Sequence, residues 1–383
     1  MPRAINSSAM RSRNEKMILA LIHTAPISRA DIAKATGLTK AAVSIIVDEW
    51  IKRGVIAEGE ARPDGTAGRA PVRLTLNKNS VFMVGINISR VDITVGLVNL
   101  EGEVQAETVV PILPPKEAMP RIGRALQEIL ADAQIPADRI SQIGLVTPGP
   151  VDARQGRILN PPNFDGWQNF PIVEEIRRFS DLDVVFENVS NGTALAEKYF
   201  GAAREGSSFL SLQIDEGVGS GILQNNSLFA GLCEVGHISI DPNGIPCACG
   251  NCGCLEQYAA IPAVLRGTPY RSWQEAVDAG AEHLFQIEAD ALKTPIITVN
   301  NLFSLDAVVL CGEVSYRPEG LIQALQEKIS GKMLSKSPLQ VLAGQVRSKT
   351  LVAASVATAS FFGLSGIKPF AGGAKSAESK DCL

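Results

Sequence analysis

The stretch from Asp31 to Ile56, DIAKATGLTKAAVSIIVDEWIKRGVI, constrains the fold more than any other part of the chain. Ala33 is small where two helices would cross closely, and Gly37 permits a tight turn after the first of them. Thr39 opens the next helix, whose Val43, Ile46, Val47, Trp50 and Ile51 share one face. Upstream, SRADIAKAT begins at Ser28, with Asp31 three residues on in a weak capping box. Before that, Asn14 to His23 carries Met17, Ile18, Leu21 and Ile22 at helical spacing, and residues 1–13 read as a loose tail. Gly54 ends the Thr39 helix. Val55-Ile56 and VRLTL then read as strands around the loop ARPDGTAGRAP. The order is helix, helix, turn, helix, strand, basic loop, strand.

That order is a winged helix-turn-helix. The first turns of the third helix present Thr39, Lys40, Ala41 and Ser44, short enough to approach base edges, with one cation for phosphate. Arg62, Arg69 and Arg73 lie in or beside the loop, as in a wing that touches phosphate or the minor groove. Ser28 caps the second helix and is counted with these DNA-facing positions. Charge supports the reading. Residues 1–79 hold 13 Lys+Arg against 7 Asp+Glu, a net of +6, while the remaining 23 basic and 33 acidic residues leave the body at −10. A basic module on an acidic body suits a polyanion partner. A small helical interaction module with a basic solvated face is the plainer alternative.

Downstream of a linker near Lys78–Ser80 the pattern changes. Strands such as FMVGINI and ISQIGLVT alternate with helices at residues 115–134, 171–179 and 192–200, which implies an α/β body. With 45% hydrophobic and 20% charged residues, wholesale disorder is excluded. No run of about 18 apolar residues occurs and the N-terminus has no apolar core, so a membrane span or secretory signal is not expected and a cytoplasmic location is.

Four of the seven cysteines, Cys247, Cys249, Cys252 and Cys254, fall within eight residues, shortly after His237. In a reducing compartment this spacing reads as a metal site, and three thiolates with one imidazole suit a closed, tetrahedral structural zinc. Chemistry alone leaves Cys252 as a fifth candidate.

Several motifs together resemble the ROK family, which joins sugar kinases and sugar-responsive repressors. They are EVGH (Glu234–His237), GIPCACGNCGCLE, TPGPVD (Thr147–Asp152), NPPNFDGW (Asn160–Trp167), ENVSNGTALAE (Glu187–Glu197), EGVGSG (Glu216–Gly221) and the wing sequence Gly68-Arg69-Ala70-Pro71. The resemblance implies a winged helix-turn-helix at residues 1–79 followed by a two-lobed, actin-like body. Its lobes would be 80–190 and 191–383, with the C-terminal helix able to return to the first. It implies zinc on His237, Cys247, Cys249 and Cys254. It implies sugar contacts at Asn188, Glu234, His237 and Glu256, with Gly149 nearby.

The resemblance also implies that kinase chemistry is missing. Where the family's kinases read D-x-G-G-T at the first phosphate turn, this chain has Asn87-Ile88-Ser89-Arg90-Val91. Side chains replace the glycines that would let backbone N–H groups reach phosphate. The catalytic base of an E-N-D motif is replaced by Val189, which accepts no proton. The second turn, normally G-T-G, reads Asp215-Glu216-Gly217, whose carboxylates repel ATP. The expected function is a DNA-binding regulator and repressor with operator DNA and a sugar or sugar derivative as partners, working as a homodimer or homotetramer away from membranes. The alternatives are a residual or bifunctional sugar kinase, or a regulator whose body binds a partner protein.

Overall fold

The computed structural model describes residues 7–61, 72–229, 231–334, 338–364 and 367–370. It begins with α1 (Ser7–Thr24), which takes in half of the stretch expected as a loose tail. Arg11 secures that first half, reaching Glu15 one turn on and Glu49 in the third helix. Strand β1 (Ile27–Ser28) leads into α2 (Arg29–Thr36) and α3 (Lys40–Lys52), followed by β2 (Ile56–Ala61) and β3 (Val72–Leu76). The small sheet has the order β1-β3-β2. Local chemistry sets each boundary. The Ser28 hydroxyl accepts from the Asp31 amide, Gly37 ends α2 at φ 73°, and the Thr39 hydroxyl accepts from the Ala42 amide. Ile18, Leu19, Ile22, Ile32, Val43, Ile46, Val47, Trp50 and Leu74 form the core of this module.

The chain divides into two compact units, the first of which includes this N-terminal module. The first comprises residues 1–186 and 349–383, and the second residues 187–348. After the linker come β4 (Phe82–Ile88), β5 (Asp92–Asn99), β6 (Val104–Pro111), α4 (Pro115–Asp132) and β7 (Ile140–Thr147). A two-residue ribbon, β8 (Val151–Asp152) with β9 (Arg157–Ile158), precedes α5 (Ile172–Ile176) and β10 (Asp183–Asn188). The sheet order is β10-β7-β4-β5-β6, with β4 antiparallel to β5 and parallel to β7. Strand β4 is buried along its whole length, which is why its sequence is apolar rather than alternating.

In the second unit, α6 (Val189–Phe200) precedes β11 (Phe209–Ile214), β12 (Val218–Gln224) and β13 (Ser227–Leu228). Short helices α7 (Glu256–Ala259), α8 (Ile261–Val264) and α9 (Trp273–Asp278) lead to the long α10 (His283–Phe303). Strand β14 (Ala307–Gly312), α11 (Glu319–Ile329) and β15 (Gln340–Ala343) complete the unit, with sheet order β13-β12-β11-β14-β15. One buried carboxylate organises its far end. Glu197 accepts from the backbone amides of Ala202 (2.8 Å), Gln345 (2.8 Å) and Val346 (2.9 Å), so its buried oxygens are met by three donors. The chain then re-enters the first unit as α12 (Lys349–Phe361), which packs on β4, β5 and β7. Among the described residues, no helix is long and apolar enough to cross a membrane.

Candidate functional site

The DNA-facing candidates separate by burial. Thr39, Lys40 and Ala41 are exposed at the start of α3 and Ser44 is half-buried one turn on. The sequence reading missed Ile45, which stands 59% exposed on the same side, where an apolar group can touch a thymine methyl. An exposed isoleucine carries no sequence signal, because its neighbours Ile46 and Val47 are buried. Ser28 is a correction. It is 4% exposed, and its hydroxyl both accepts from the Asp31 amide and donates to the Asp31 carboxylate (2.7 Å), so it is a helix cap and not a surface contact. Arg69 and Arg62 lie outside the described residues. Arg29 braces the module by pairing with Asp48 and Glu58, each at 2.8 Å.

In the second unit, the loop after β13 brings the thiols together. One ligand atom from each of His237, Cys247, Cys249 and Cys254 lies within 4.8 Å of all the others. Cys247 Sγ is 3.6 Å from His237 Nδ1, and the Cys249 and Cys254 sulfurs are 3.6 Å apart. Burial, and then the neighbouring sulfurs, push the Cys254 thiol up to about 12. Sulfurs held this close ionise together only with a cation among them, so the donor set fits a divalent metal. Cys252 stands apart from the four and serves the loop's backbone. Its carbonyl accepts from the Ser239 hydroxyl (2.7 Å), and it bridges to Pro246. Gln257 Nε2, 3.7 Å from the Cys247 sulfur, and the Tyr258 hydroxyl, which accepts from the Ile245 amide, brace the loop from α7.

Two of the sugar candidates, Glu234 and Glu256, flank this loop in sequence and act on each other electrostatically. Glu234 immediately precedes a short 3-10 turn that ends on His237. Burial pushes the Glu234 carboxyl above its ordinary value, with His237 opposing this and Glu256 adding to it. One oxygen of Glu256 accepts from the Val218 amide (3.0 Å), in space that a side chain at Gly217 would fill. Asn188 caps α6 by accepting from the Asn191 amide (2.7 Å). Its neighbour Glu187 is raised by burial and accepts from Asn191 Nδ2 (2.8 Å). Gly149 belongs to the first unit, just past the end of β7.

Both phosphate-type turns are filled by the chain itself. In the first unit, Asn87 donates to the Lys349 carbonyl (3.2 Å), which a carboxylate cannot do. The Ser89 hydroxyl donates to Asp92 (2.7 Å), and the Lys349 ammonium lies 2.5 Å from the same carboxylate oxygen. In the second unit, Asp215 Oδ1 accepts from the Glu313 amide (2.9 Å). Burial raises the Glu313 carboxyl, the Trp273 amide opposes this, and Asp215 and Glu216 raise it further. Glu313 is thus a third acidic group at a turn where sequence reading found two. The glycines of EGVGSG serve packing. Side chains at Gly219 and Gly221 would collide with Ser190 and Ala194 of α6.

A model of the ROK family matches residues 83–360, and a model of the MarR family matches residues 11–70. The chain belongs to the ROK family. The xylose repressor of Bacillus subtilis is 29% identical over 347 residues, covering 84% of this chain and 88% of the relative. The DNA-binding transcriptional dual regulator NagC of Escherichia coli is 26% identical over 380 residues, covering 91% and 93%. The crystal structure of a ROK family transcriptional regulator, a homologue of the Escherichia coli MLC protein, superposes with a TM-score of 0.76 at 26% identity, covering 92% of this chain and 97% of that one. The ROK assignment accounts for the two α/β units, and the MarR match for the module that precedes them.

Proposed function

We propose that this ROK protein is a sugar-responsive DNA-binding repressor that binds a sugar or sugar derivative without phosphorylating it. The observation that carries the reading is the joining of a winged helix-turn-helix to a ROK body whose phosphate turns are closed by Lys349, Asp92 and Ser89 on one unit and by Asp215 and Glu313 on the other. Residues 1–79 form the DNA-binding domain, with Thr39, Lys40, Ala41, Ser44 and the wing residue Arg69 facing the duplex. The body supplies the sugar contacts through Gly149, Asn188, Glu234, His237 and Glu256. His237, Cys247, Cys249 and Cys254 would hold a structural zinc, which would tie the loop together without taking part in chemistry. Bound metal would fix the ring of His237 beside Glu234. The protein works in the cytoplasm as a homo-oligomer whose paired modules read two half-sites.

Xylose and N-acetylglucosamine are the sugars named in the relatives and are the first to try. In a thermal-shift panel, a bound sugar at about 100 times its Kd adds about 2.7 kcal/mol. Glu234→Ala leaves buried polar partners unmet and weakens that sugar by about one to two orders of magnitude. The same variant keeps its DNA affinity in the absence of sugar. A panel with no stabilising sugar, combined with stable binding of a protein from cell extract, favours a partner-binding body instead.

A further inference from the structure

Helix α12 is unusual for a surface-connected element. It is buried on every side and built from small residues, with Ala353, Ala354, Ser355, Ala357, Thr358 and Ala359 all enclosed. It lies directly on strand backbone because three glycines stand in one row across the sheet. Gly85 pairs with Gly96 on one side and with Gly144 on the other. A Cβ at Gly85 would strike the Thr350 carbonyl, one at Gly144 the Ala353 carbonyl, and one at Gly96 the Thr350 side chain. Helix and sheet therefore have no soft layer of side chains between them, and displacement of one is displacement of the other.

Both ends of this helix are tied. At its start, the Lys349 ammonium holds Asp92 and approaches the Ser89 hydroxyl (3.5 Å), Asn87 donates to the Lys349 carbonyl, and the Thr350 hydroxyl donates to Glu107 (2.5 Å). At its end, the Ser360 carbonyl accepts from Lys16 of α1 (3.1 Å). The Phe361 ring meets Trp50 of α3 edge-on at 6.4 Å, and Phe362 lies 4.7 Å from His23. Trp50 is a core residue of the helix that carries Lys40 and Ser44. Residue 349 directly follows residue 348, the last of the second unit.

We propose that α12 sets the recognition helix, with Lys349 and Asp92 as positioning residues at one end and Phe361 at the other. The turn that binds phosphate in the family's kinases has become the anchor of this helix, and an internal ammonium stands in for a ligand. All three residues are then needed for sugar to change DNA affinity, and none of them for sugar to bind. This rests on the sugar-responsive reading above, so one arm of the test is independent of it.

In that arm, amide hydrogen exchange is followed in the full-length chain. Lys349→Met and Asp92→Asn speed exchange around Trp50 by about threefold or more while β11 and β14 are unchanged, and Lys349→Arg restores the wild-type rate. Unchanged exchange around Trp50 in both variants overturns the proposal. In the second arm, affinity is measured for a duplex selected from a random pool by the wild-type chain, with and without xylose or N-acetylglucosamine. The expected result is that the sugar's effect on DNA affinity falls about fivefold or more in Lys349→Met, Asp92→Asn and Phe361→Leu, a typical allosteric coupling, while the sugar's thermal shift persists. A full response in these variants, or loss of the thermal shift, overturns the proposal. A wild-type chain with no sugar response contradicts the functional reading, and the exchange arm still decides the role of α12.

Discussion

Glu288 is fully enclosed in the second unit, on α10, and neither of its oxygens has a hydrogen-bond partner among the described residues. Burial pushes its carboxyl well above 4.5. The folded state therefore holds a proton that the unfolded chain releases once pH passes its ordinary value, so stability falls as pH rises through that window. Glu288→Leu removes both the unmet polar group and the pH slope. The transition of this unit is expected to rise by several degrees near pH 8, from the roughly 1–3 kcal/mol that such a group costs, and by less near pH 4.5. Calorimetry at the two pH values checks it, and an equal or negative shift at both contradicts it. At the thiol loop, Cys249→Ser and Cys254→Ser are expected to lose zinc in metal analysis and Cys252→Ser to retain it. The spacing of these cysteines was legible because ligands on one loop must be near in sequence. Glu313 and Lys349 were not, because each meets its partner across a long sequence separation that only the β-topology closes.

Among the elements, the caps were the most readable. Ser28, Gly37, Thr39 and Gly54 mark boundaries by local hydrogen bonding or by a left-handed turn, so no distant partner had to be known. The start of α1 was not readable, because Arg11 holds it through Glu49, 38 residues away. Helix α12 hides for the opposite reason, since an element buried all round has no polar face to give it a period. The outward face of α3 leads to a prediction in two parts. Lys40→Ala is expected to weaken binding of all duplexes and to flatten the salt dependence by about one unit of slope, as one lost phosphate contact does. Ile45→Ala is expected to leave the slope unchanged and to relax preference at a single thymine, read by comparing selected duplexes with and without its methyl group. An unchanged preference at every thymine in Ile45→Ala would show that this side chain touches no base.

At the scale of the whole molecule, the body shares its family and fold with ROK kinases, while its phosphate-type turns are occupied by its own side chains. By its resemblance to the family's kinases the chain carries Val189 in place of their base, and this is expected to be one of several obstacles. Val189→Asp restores a carboxylate beside Asn188, while Lys349 still fills the first turn and Asp215, Glu216 and Glu313 still face the second. No sugar phosphorylation is therefore expected from Val189→Asp in the presence of magnesium and ATP, and measurable turnover would show that the nucleotide site is open. The division of labour was visible in the sequence from charge, with +6 in residues 1–79 and −10 beyond. The return of the chain at Lys349 has no compositional mark.

The glycine row has a genetic consequence. Gly85, Gly96 and Gly144 touch neither the duplex face nor the metal loop, yet an added methyl at any of them has nowhere to go. Selection for colonies that express the regulated genes without inducer should therefore return alleles at three codons in the middle of a sheet. An added Cβ there must displace α12 or destabilise the unit, so those products that still accumulate would be ones in which the helix has shifted. Such a cluster would map the path of α12 on the sheet without a structure being solved.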